Sequence, residues 1–63
     1  MSPDHAQLSS LATGLDELVA RVADAAEAER TGGRDDLAAD LYEVERSLRA
    51  GARRLAQLVR RLD

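Results

Sequence analysis

Starting at Leu8, the residues Leu8, Leu11, Leu15, Leu18, Val22 and Ala25 recur at alternating steps of three and four. A second run, Leu37, Leu41, Val44, Leu48, Gly51, Leu55, Leu58 and Leu62, keeps the same alternation with one glycine in phase. This is the a/d spacing of a left-handed helical coil and predicts two long amphipathic helices. The punctuation between and around the runs agrees. Ser2 and Pro3 suit an N-cap and a first helical position, with Asp4 beside the positive end of the helix dipole. Thr31-Gly32-Gly33-Arg34 is the one turn-like cluster, and Asp35 or Asp36 offers a cap for the second helix. The expectation is a single domain over residues 1–63: helix at about 3–30, loop at 31–34, helix at about 35–62. Helices of similar length joined by a short loop form an antiparallel hairpin, each arm roughly 40 Å long at 1.5 Å per residue. Thr13-Gly14-Leu15-Asp16 also resembles a capping restart, which would break the first helix near Thr13.

A third row widens the stripe. With Leu8 and Leu48 at position a, the e positions are Ala12, Val19 and Ala26 in the first helix and Ala38, Glu45, Ala52 and Val59 in the second. An a/d stripe suits a two-helix coil, whereas a/d/e is the broader stripe of a globular bundle. The expected core and dimer face is Leu8, Leu11, Leu15, Leu18, Val19 and Val22, opposed by Leu41, Val44, Leu48, Leu55, Leu58, Val59 and Leu62. Two helices cannot cover so wide a face, so an all-α hairpin that dimerises into a four-helix bundle is the expected fold. A different helical partner could cover the same face. Gly14 and Gly51 fall level with each other across the hairpin and mark either close packing or a notch that receives something.

Composition narrows what such a hairpin can do. Sixty-three residues support only a small core, and small domains of this kind need a disulfide, a metal or self-association. There is no Cys and only one His, so disulfides and thiolate or imidazole-rich metal sites are excluded within one chain, and no cofactor is expected. Self-association is the support that remains. Tyr42 is the sole aromatic residue, so no base-stacking platform can form. No apolar run is long enough to span a bilayer, and the first ten residues, MSPDHAQLSS, lack a signal peptide's basic and apolar regions; the expected location is cytoplasmic. All nine basic residues are arginine, and Ala and Leu abound, the bias of a GC-rich bacterial genome.

Charge is unevenly placed. Residues 46–63 carry six arginines and one acid, whereas residues 1–45 carry three arginines and eleven acids. Glu43 can pair with Arg46 and Glu45 with Arg49 along the helix, and Arg21 with Asp40 across it. Arg53, Arg54 and Arg61 have no acid within reach on their own helix, and Arg60 has only Asp63. Arg46, Arg53, Arg54, Arg60 and Arg61 are therefore the candidate surface for an acidic protein partner. The alternative is an anionic ligand, a nucleotide second messenger or nucleic acid, held by the same arginines. A net charge of −3 and the absence of any reading element disfavour nucleic acid. The dinucleotide-binding pattern E-x3-S-x2-R-x3-Q-x3-D of certain anti-sigma factor hairpins is met only at Glu43 and Ser47. Ala50, Arg54 and Leu58 stand at its other positions, so no family is assigned.

Catalytic chemistry finds little support. Asp4, His5, Ser9 and Ser10 include the residue types of a nucleophilic triad, but a helix start offers no buried acid and no oxyanion pocket. The acids Asp24, Glu27, Asp36, Asp40 and Glu43 lie at outward positions, and the Glu-x-x-His of di-iron bundles is absent. Glu29 falls at a beside the loop, at a frayed end of the seam. The sequence thus predicts a non-enzymatic, self-associating interaction or regulatory module.

Overall fold

The structure, a computed structural model, describes residues 4–62. Two helices, α1 (His5–Thr31) and α2 (Asp35–Arg61), pack against each other as an antiparallel hairpin measuring 49 × 15 × 14 Å. Among the described residues there is no strand. Helix α1 runs unbroken through Thr13 and Gly14, so the possible restart at Thr13 does not occur. The Thr13 hydroxyl instead donates back to the Ser9 carbonyl at 3.2 Å, a bond made within a continuous helix. The N-cap is Asp4, whose carboxylate accepts from the Gln7 amide at 2.8 Å. The expected capping by Ser2 and Pro3 lies outside the described residues.

The loop is a Schellman closure. The Arg34 amide donates to the Glu29 carbonyl at 2.9 Å and the Gly33 amide to the Arg30 carbonyl at 3.1 Å. Gly33 sits at φ +85°, the left-handed region where a side chain is strained and glycine is not. The Arg34 guanidinium then reaches the Glu29 carboxylate at 3.3 Å. Glu29 is therefore half-buried and tied to the loop, where the sequence suggests a frayed end. Neither Asp35 nor Asp36 caps α2. Arg34 holds that position without a side-chain bond, and the two acids occupy the first turn, where their charge complements the helix dipole.

The seam is where structure and expectation part. Its buried or half-buried apolar residues are Leu8, Ala12, Leu15, Val19, Val22 and Ala26 on α1, and Ala38, Leu41, Leu48, Ala52, Leu55 and Val59 on α2. These are the a and e rows, not a and d, with half-buried Ala23 of the b row at the margin. The d residues expected at the core and dimer face lie outside the seam and are exposed on the single hairpin: Leu11 56%, Leu18 42%, Val44 47% and Leu58 47%. Leu62, an a residue at the open end, is 50% exposed. The e row is the one rich in alanine, and small side chains let two helices approach more closely than leucines at d permit. Ala26 at 0% and Ala38 at 2%, level with each other next to the loop, are the most enclosed residues, followed by Val19 at 8%.

Neither Gly14 nor Gly51 serves close packing inside the hairpin. A β-carbon added at either position meets nothing within 4 Å. Alanine there should stabilise each helix by about 1 kcal/mol, whereas Gly33→Ala should destabilise by about 1 kcal/mol through its positive φ. Ala38→Leu should cost about 1–3 kcal/mol by overfilling the seam. Thermal unfolding followed by circular dichroism orders the four variants, and a Gly33→Ala protein as stable as Gly14→Ala contradicts the loop geometry.

Candidate interaction surfaces

With a and e turned inward, helix geometry places the d row about 80° to one side of the seam and the b row about 80° to the other. Because the helices run antiparallel, both d rows fall on the same broad side of the hairpin, and both b rows on the opposite side. The first side is apolar: Leu11, Leu18 and Ala25 from α1 lie beside Leu37, Val44, Gly51 and Leu58 from α2. Leu37 is 41% exposed, in line with its neighbours. Gly14, in the adjacent g row, and Gly51 lower the middle of this side. Both glycines open outward, with nothing within 4 Å of an added β-carbon.

The second side is polar and held by a network across the helices. The Tyr42 hydroxyl on α2 donates to the Glu27 carboxylate on α1 at 3.0 Å, and Arg30 grips the same carboxylate through Nε at 3.0 Å and through Nη2. Hydrogen bonds from Arg30 first, and from Tyr42 next, hold the Glu27 carboxyl at about 2 against an ordinary 4.5. The Glu27 carboxylate in turn raises the Tyr42 hydroxyl and the Arg30 guanidinium above their usual values. The signal for this network is present in the sequence as the placement of Glu27, Arg30 and Tyr42 on f and b positions beside the loop. It becomes legible only once the seam is known to be a/e, because an a/d seam turns these rows away from each other.

The arginines do not form one patch. Arg46, Arg53 and Arg60 occupy the f row toward the polar side, whereas Arg54 and Arg61 occupy the g row bordering the apolar side. Arg46 pairs with Glu43 at 3.5 Å, and Arg49 pairs with Glu45, both as their spacing predicts. Glu45 is a half-buried seam carboxylate and uses Arg49 as its counter-charge. No ion pair to Arg53, Arg54, Arg60 or Arg61 forms among the described residues. The pair expected between Arg21 and Asp40 does not form either. Both belong to g rows, which the a/e seam carries to the outer edges of the two helices. Arg54, Gln57, Leu58 and Arg61 line a shallow open depression near the end of α2, and Tyr42, Glu45, Arg46 and Arg49 line another on the polar side.

Among the described residues no three or more His, Cys, Asp or Glu side chains gather where they could hold a metal. No helix among them is long and apolar enough to cross a membrane. Comparison of the chain with models of known protein families, with curated proteins and with solved structures finds no match.

The Glu27 network has a defined pH signature. Its pKa is lower folded than unfolded, so Glu27 stabilises the hairpin fully above about pH 4.5 and loses that contribution as the pH falls toward 2. Carboxyl-carbon NMR should show Glu27 titrating well below the ordinary glutamate value of 4.5, with Arg30→Gln moving the midpoint up more than Tyr42→Phe does. An unchanged midpoint in both variants contradicts the network.

Proposed function

We propose that this chain is a non-catalytic helical interaction module that self-associates through its apolar side and presents its arginines to an acidic protein partner. One observation carries the reading: the aligned residues Leu11, Leu18, Leu37, Val44 and Leu58 stay 41–56% exposed on a single side of the hairpin. A continuous apolar strip of this kind is a liability for an isolated soluble domain and a normal feature of an association face. Docking a second hairpin there encloses the strip and completes a four-helix bundle. It also enlarges a core that sixty-three residues leave small. The outward f-row arginines, Arg46, Arg53 and Arg60, remain available in such an assembly. An acidic partner is the complementary chemistry, because desolvated arginine–carboxylate pairs are short and bidentate.

A second reading draws on the depression between Arg54 and Arg61, where two guanidinium groups without ion-pair partners among the described residues flank Gln57. That arrangement suits a small phosphorylated ligand.

Sedimentation equilibrium at micromolar concentration should give a dimer for the parent chain and a monomer for Leu18→Glu and Val44→Glu. A folded monomeric parent overturns the self-association reading. Titration with a cyclic dinucleotide at low salt, where phosphate contacts are strongest, tests the second reading. Undetectable binding there eliminates it.

A further inference from the structure

We infer that the occupant of the apolar side is a second copy of this chain docked with its loop at the opposite end, so that the two hairpins run head to tail. This rests on the self-association proposed above and adds its orientation. Electrostatics selects the orientation. Folding leaves a charge gradient along the rod: the loop-proximal half, residues 19–46, holds eight carboxylates and four arginines, a net −4. The distal half, residues 4–18 and 47–62, holds five arginines and three carboxylates, a net +2.

Two symmetric ways of facing two apolar sides are available. If the loops lie together, the −4 halves lie against each other. If the loops are opposed, each −4 half lies against a +2 half, twice per dimer. Packed helices sit about 8–10 Å apart, comparable to the Debye length of about 8 Å at physiological salt, so the charges that border the apolar side act across it with little screening, and those on the polar side act more weakly.

The row bordering the apolar side on α2 has the same polarity residue by residue. From the loop outward it reads Asp40, Ser47, Arg54, Arg61. A two-fold axis near the level of Ser47 brings Asp40 of each copy beside Arg54 of the other. The same axis sets Val44 over Gly51 of the second copy and Leu18 over its own counterpart. Size matching alone does not choose the orientation, since aligned loops also lay Leu11 over Gly51. Charge does.

The chain has no cysteine, so one introduced thiol labels a single site. A nitroxide on Thr31→Cys, an exposed position at the loop, should report an inter-copy distance of about 40 Å in the head-to-tail dimer, against less than about 20 Å with loops aligned. Asp40→Arg and Arg54→Asp should each weaken dimerisation, by roughly 2- to 30-fold with two pairs per dimer, and the double variant should recover it. A short distance, or losses that add without recovery, overturns the orientation and leaves self-association standing. A folded chain that stays monomeric at high concentration overturns both.

Discussion

The constraint on which the molecule depends is the small side chain at position e. Ala26 and Ala38, beside the loop, are the most enclosed residues, and half-buried Ala12 and Ala52 continue the row toward the open end. Small side chains at e let the helices meet along a and e. That choice sends every larger d residue sideways, which creates an apolar side, a polar side and two outer edges from one repeating pattern. The tyrosine–glutamate–arginine network, the division of the arginines and the unformed Arg21–Asp40 pair all result from this rotation. A leucine at Ala38 would disturb all of them, because the seam has no space to absorb it.

The loop imposes the second constraint. Gly33 with its positive φ completes a closure that carries the backbone from one helix into the next within three residues. It ends α1 next to the enclosed alanines, so turn and seam specify the same register. The Glu29–Arg34 pair adds a charged latch where such closures often have an apolar contact.

The two helices, their lengths and their antiparallel pairing can be read from the chain because a step alternating three and four has few other solutions. The seam cannot. Moving from a to d and back steps three then four, and moving from a to e and back steps four then three, so the two seams share one periodicity. Only side-chain size separates them, and the alanines at 12, 26, 38 and 52 look in sequence like a flank to the leucines when they lie in the seam itself. Gly14 and Gly51 show the complementary limit. Their common level comes from counting residues, but whether they face inward or outward depends on the same rotation. The Asp4 cap is masked in the sequence by the nearby Ser2-Pro3, since any short oxygen-bearing side chain at a helix start is chemically eligible.

The burial is also unequal along the rod. Val19, Ala26 and Ala38, the three enclosed residues, all belong to the half nearest the loop, and no described residue in the other half is as well covered. A hairpin tied at one end and loosely packed at the other has a gradient of local stability, with opening confined mainly to the free ends. Arg53, Arg54, Arg60 and Arg61, which find no counter-charge among the described residues, sit on that weaker half. All four belong to α2, so the end of the rod that opens most readily carries this charge on one arm alone.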